Sequence, residues 1–124
     1  MGIKRPRGVS FLFAPRIAME WRVFMSLFSR RPSFQQGLET FRKMPGAVLL
    51  DVRTPEEFAA GHVPEAVNVP LDALGRIDYQ WDTPLFVYCH SGARSGRACM
   101  LLEEKGYRAV NIGGIAGYNG RLDR

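Results

Sequence analysis

Cysteine and histidine are scarce in this sequence: two of each, Cys89, Cys99, His62 and His90. Two cysteines without a CxxC pair cannot supply a disulfide framework, and no His/Cys spacing matches a metal site. Neither a metal nor a cofactor is therefore expected, and a reducing, cytoplasmic setting is the simplest reading of the thiols. Long apolar runs are missing too. Val9–Ala14 is short and ends at Pro15-Arg16, unlike a secretory leader. Arg16, Glu20 and Arg22 interrupt the longer apolar region, so a membrane span is not expected. No repeat or low-complexity tract is visible. The body of the chain also lacks any excess of positive charge. Residues 1–31 carry seven Lys and Arg against the single acid Glu20, whereas the remainder has ten against eleven Asp and Glu. The net charge of +5 thus belongs to the N-terminal part. Nothing in the bulk charge of the rest suggests a nucleic-acid partner.

What is present suits one soluble globular domain: 124 residues, 46% hydrophobic and 23% charged, long enough to bury a single core. Ile17, Trp21, Phe24 and Phe28 recur at helical spacing and form a narrow apolar seam. Residues 1–31 therefore read as a basic helical extension docked on the domain or on a neighbour, with membrane-surface association or disorder as the alternatives. The boundary falls near Arg30-Arg31-Pro32, leaving 32–124 as the domain proper.

Beyond it the punctuation is regular. Ser33 three residues before Gln36 makes a capping box, and Phe34, Leu38 and Phe41 share a face until Pro45-Gly46 stops the helix. Ala47–Val52 reads as a buried strand. Thr54 as N-cap, Pro55 at the first helical position and Glu57 closing a second box open a short helix that Gly61 ends. Ala66–Pro70 reads as a strand, Leu71–Leu74 as a helical turn and Leu85–Tyr88 as a further strand. Arg94–Lys105 is the next helix, stopped at Gly106. A last strand lies within Arg108–Gly114, and a short helix is expected near Ile115–Asn119. Alternating strands and helices predict an α/β fold: a parallel sheet flanked by helices on both faces, with the N-terminal helical extension added.

The chemistry concentrates in "YCHSGARSGRA". In parallel sheets ligands collect beyond the carboxyl ends of strands, and Cys89 ends one. The loop His90, Ser91, Gly92, Ala93 is small and contains glycine, so its N–H groups can turn inward. Together with the N-terminus of the helix opened by Arg94 and Ser95, they form a nest for an anion and favour the thiolate. Ser91 and Ser95 fit either hydrogen bonding to the sulfur or loop and helix capping. Cys99, beside Ala98 and Leu102, reads as core. Asp51, Arg53, Glu57 and His62 read as structural support rather than catalysis. Asp51 and Arg53 suit a salt bridge at a strand end, Glu57 a cap, and His62 a bond to the backbone of the Val63-Pro64 turn.

Three segments resemble the single-domain rhodaneses, a family of sulfurtransferases. "LLDVRTPEEFAAGHVPEAVNVP" matches at Asp51, Arg53, Glu57, Phe58, Gly61, His62 and Ala66, with Glu65 in place of the usual glycine. "YCHSGARS" is similar to the active-site motif at Cys89, Gly92, Arg94 and Ser95. "GYRAVNIGGIAGY" resembles the closing segment, with Gly106 and Gly113-Gly114 in place. The resemblance runs from about Ser33 to Tyr118 and excludes the extension. It implies a sulfurtransferase in which Cys89 carries a persulfide and the amides of residues 90–94 hold its terminal sulfur. Arg94 would either bind an anionic donor or brace the loop through a carboxylate. His90 stands where thiosulfate-active members commonly carry Arg or Lys, which turns the expectation from thiosulfate toward a persulfide donor. The implied partners are a small sulfur-containing anion or persulfide, and a protein sulfur donor or acceptor. Two other functions compete. One is a binding or regulatory module that retains the fold without turnover. The other is a cysteine-based phosphatase or arsenate reductase, whose loop has one residue more than the four between Cys89 and Arg94.

Overall fold

The computed structural model describes Trp21 and residues 33–124. Helix α1 spans Phe34–Lys43, strand β1 Val48–Asp51, helix α2 Pro55–Ala60 and strand β2 Val67–Asn68. A 3-10 helix follows at Leu71–Arg76, then strand β3 (Pro84–Cys89), helix α3 (Ala93–Glu104) and strand β4 (Arg108–Gly114). The four strands form one sheet in the order β2-β1-β3-β4, and every pairing is parallel.

Local chemistry explains where α1 and α2 begin. Both capping boxes close: Ser33 with Gln36, and Thr54 with Glu57. Each box satisfies two backbone donors that a helix start otherwise leaves unpaired. Strand alternation then divides the core. Leu50, Val52, Leu85, Val87, Cys89 and Ala109 meet Ala98, Cys99 and Leu102 of α3 on one face. Leu49, Phe86, Tyr88, Val110 and Ile112 meet Leu38 of α1 on the other, with Phe34 and Phe41 packed alongside. Each fully buried Leu, Val or Phe contributes roughly 1.5–3 kcal/mol. Strand β3 is buried along its whole length, as expected of a central strand covered by helices on both sides.

Two expected elements need correction. The strand foreseen over Ala66–Pro70 shortens to Val67–Asn68, and Val67 is 44% exposed at the sheet edge. There the Asn68 amide donates to the Asp51 and Arg53 carbonyls, alongside the backbone bond from Val69 N–H to the Asp51 carbonyl. The helix foreseen near Ile115–Asn119 is absent. Tyr118 N–H closes a turn on the Ile115 carbonyl, and Gly117 takes φ 84°, a left-handed value that ends helical geometry. The turn that carries Glu65 in place of glycine is formed: Ala66 N–H bonds the Val63 carbonyl, and the Glu65 carboxylate receives Arg42 at 2.8 and 3.1 Å. The seam at Ile17, Phe24 and Phe28, and the boundary near residue 31, lie outside the described residues. Trp21 is described; it packs against the α1-side cluster with the Arg108 guanidinium 5.8 Å from its ring centroid.

The topology also places a crevice. After β1 the chain moves to β2 on one side, and after β3 it moves to β4 on the other. The connections leaving the carboxyl ends of β1 and β3 therefore diverge, and Asp51 lies beside Tyr88 at that point. Such a switch point is where parallel sheets leave room for a ligand. Cys89 is the next residue.

Candidate active site

Cys89 belongs to the α3 face of the sheet and is 1% exposed. The chain then turns through His90 and Ser91, both exposed, to Gly92. Gly92 is the N-cap of α3 with φ 103°, a left-handed conformation that glycine adopts without strain. It offers no side chain to cap the helix, in contrast to Ser33 and Thr54 at the starts of α1 and α2. The sulfur does that job. Gly92 N–H donates to Sγ at 3.0 Å, Ser95 N–H at 3.4 Å and Ser95 Oγ at 3.4 Å. Donors that a helix start would otherwise leave unpaired converge on one atom.

Two opposed effects act on this thiol. Burial pushes its pKa up; hydrogen bonds from Ser95 Oγ, Ser95 N–H, Gly92 N–H and Ser91 N–H pull it down, and the result is a lowered value. A thiolate is the nucleophilic form of cysteine, so the arrangement favours attack on sulfur or another soft electrophile.

The loop is fastened from both sides. On one, Arg94 donates Nη1 to Glu57 Oε1 at 2.8 Å and Nη2 to Oε2 at 3.0 Å. The same carboxylate caps α2 through Thr54 N–H at 2.9 Å. Arg94 first, and Thr54 N–H next, bring the Glu57 carboxyl down to about 2. Arg94 thus has the geometry of the brace rather than that of a free anion ligand. On the other side stands Asn111 of β4. Its Oδ1 receives Ser95 Oγ at 2.6 Å and Gly113 N–H at 2.9 Å, and its Nδ2 donates to the Gly92 carbonyl at 3.1 Å. Regular pairing with Val87 puts it there, and a β-bulge follows: Tyr88 pairs with Gly113, so Ile112 is the extra residue.

Asp51 and Arg53 form a buried pair below the crevice, with Arg53 Nη2 2.6 Å from Asp51 Oδ2 and exposures of 0% and 5%. Arg53 Nη2 also donates to the Gly61 carbonyl at 2.8 Å, which ties the end of α2 to β1. His62 turns to α2, with Nδ1–H donating to the Phe58 carbonyl at 2.7 Å and the ring stacked on Phe58. That partner differs from the Val63-Pro64 turn anticipated for it. The site thus gathers Cys89, Gly92, Ser95, Arg94 and Glu57, while Asp51, Arg53 and His62 act at one remove. Cys99 packs in the apolar cluster, where burial and then Glu103 push its thiol up to about 12. Among the described residues no three His, Cys, Asp or Glu side chains gather to hold a metal ion. Nor is any helix among them long and apolar enough to cross a membrane.

Sequence reading missed Asn111. One signal was available: strand period places it on the same face as Ala109, a polar residue pointed where the neighbouring strands bury apolar ones.

Residues 35–120 match the family model described as Rhodanese-like domain. An uncharacterized protein of Bacillus subtilis is 38% identical over 80 residues, covering 61% of this chain and 64% of that protein. A sulfurtransferase of Allochromatium vinosum is 40% identical over 72 residues, covering 55% and 67% respectively. The crystal structure of a rhodanese-like domain protein from Staphylococcus aureus superposes with a TM-score of 0.65 at 27% identity, over 73% of this chain and 93% of that one.

Proposed function

The chain belongs to the family of rhodanese-like domains, a sulfurtransferase family, and from that premise we propose that it moves sulfane sulfur through a persulfide on Cys89. The observation that carries this reading is the convergence of Gly92 N–H, Ser95 N–H and Ser95 Oγ on one buried sulfur. In the first half-reaction the Cys89 thiolate attacks the outer sulfur of a donor R–S–S⁻. The donor S–S bond breaks, its electron pair leaves as the thiolate RS⁻, and Cys89 becomes a persulfide. In the second, an acceptor thiolate attacks the outer sulfur and the pair returns to Cys89. Thiosulfate fits the same scheme with sulfite as leaving group. Amide dipoles fixed before reaction stabilise the charge on whichever sulfur carries it.

A persulfide donor suits the site better than thiosulfate. Both Nη atoms of Arg94 are engaged by Glu57, and the residue after the nucleophile is His90, so no free arginine or lysine of this loop faces a dianion. The exposed loop tip, His90 and Ser91, suits a donor or acceptor presented by another protein. Phosphate-ester hydrolysis is disfavoured on the same grounds. Only four residues separate Cys89 from Arg94, and the arginine such chemistry requires is already paired.

Intact-mass spectrometry tests the proposal. Incubation with a low-molecular-weight persulfide adds the mass of one sulfur atom to the wild type and to Cys99→Ser, and none to Cys89→Ser. An adduct that survives Cys89→Ser would sink the assignment.

A further inference from the structure

Ser95 Oγ lies within reach of four acceptors: Asn111 Oδ1 at 2.6 Å, the Gly92 carbonyl at 3.1 Å, and Cys89 Sγ and the Gly113 carbonyl at 3.4 Å. A hydroxyl has one hydrogen to give. The Asn111 amide cannot exchange its ends, because Gly113 N–H needs the oxygen; its nitrogen then donates to the Gly92 carbonyl, which also accepts Gly96 N–H. Helix α3 leaves that amide its space at Gly96, where an added Cβ would lie 3.4 Å from Nδ2. With a neutral thiol the hydrogen goes to the closest acceptor, Oδ1, and the S–H can itself donate to Oγ. A thiolate or persulfide anion reverses the demand: it has nothing to donate and needs the hydroxyl hydrogen. Turning the hydroxyl to sulfur leaves two oxygens facing each other with no hydrogen between them.

We infer that Asn111 is a positioning residue that draws the Ser95 hydroxyl away from the uncharged Cys89 and yields it only to a charged sulfur. The inference deepens the sulfur-transfer reading and rests on Cys89 being the reactive atom. Asn111 sets a threshold: the hydroxyl engages a full negative charge, as on the thiolate or the terminal sulfur of the persulfide, and is held off otherwise. The charged groups around the sulfur are otherwise few. From α3 comes Arg94, whose charge is shared with Glu57 of α2. From β1 comes Asp51, already bound to Arg53. The loop adds the exposed His90 next to Cys89, and this end of β4 contributes neutral Asn111 and Gly113.

Iodoacetamide labelling against pH, in the Cys99→Ser background, reads the effect without any sulfur donor. Asn111 is exposed, so in Asn111→Ala water takes the place of its oxygen; water can donate as well as accept, so Ser95 is released to the sulfur. The midpoint of Cys89 labelling is expected to fall by about half a unit, a modest share of one hydrogen bond. With Ser95→Ala also present, the same substitution leaves the midpoint where it was. A role confined to bracing the loop predicts the opposite sign, because loosening Gly92 raises the midpoint. A rise, no change, or an equal fall without Ser95 would overturn the inference. Asn111→Asp keeps an acceptor for Gly113 N–H and covers the event that the alanine variant fails to fold. It should raise the midpoint, and by less once Ser95 is removed; an equal rise in both backgrounds contradicts the inference. Failure here leaves the sulfur adduct on Cys89 standing, and failure of that adduct leaves the labelling comparison readable.

Discussion

Cys89 and Cys99 pack in the same apolar cluster beneath α3 and are both buried, yet their thiols are driven in opposite directions. Cys99 sits within the helix, among side chains that offer it nothing but burial and the charge of Glu103. Cys89 sits where the same helix begins, and receives donors that the helix start cannot satisfy internally. Burial is common to the two, so burial alone does not set the direction in which a thiol's pKa moves. Position relative to the N-terminus of α3 does.

The comparison can be broken at several points. The largest effect expected is in labelling: at neutral pH iodoacetamide should modify Cys89 at least about a hundredfold faster than Cys99. Comparable rates, read by peptide mass spectrometry, would erase the distinction between the two sites. Next comes the support beneath the reactive end. Asp51→Asn strips the buried Arg53 guanidinium of its counter-charge and should cost about 3–5 kcal/mol in chemical denaturation. A loss under one would mean that the pair does not hold β1 to α2. Smaller again, Ser95→Ala removes one donor from the sulfur and should raise the Cys89 midpoint by about one unit, a tenfold loss of thiolate below it.

The smallest effect concerns Glu57, whose carboxyl is lowered to about 2 from 4.5 chiefly by Arg94. A depressed carboxylate contributes stability above its unfolded value and loses it as pH falls through the folded one. The Glu57–Arg94 contribution is therefore complete above about pH 4.5 and fades toward pH 2. The pair is about a third exposed, so solvent screening keeps Glu57→Gln to about 0.5–1 kcal/mol near neutrality. The variant should also show a flatter acid limb in thermal melts between those pH values.

The same contrast explains what could be read from the sequence. Both capping boxes, the strand ending at Cys89 and the loop that follows are written in residues three to six apart, and the structure contains them all. Arg94 and Glu57 meet across 37 residues and Ser95 and Asn111 across 16; no local pattern announces either pairing. The choice between donor binding and bracing for Arg94 depended on that distant carboxylate. The bulge that follows Asn111 arises from sheet register, which a single strand does not display. At Ile115–Asn119 small and apolar residues suit a helix in the sequence, but Gly117 takes a left-handed conformation that the sequence alone does not fix.

The central claim is that backbone and hydroxyl donors keep the Cys89 sulfur charged, and its most direct test is the pH dependence of iodoacetamide labelling in Cys99→Ser. The account predicts a midpoint clearly below the free-thiol value of about 8.5. A midpoint at or above it would show that burial wins over the donors, and Cys89 would be a second Cys99.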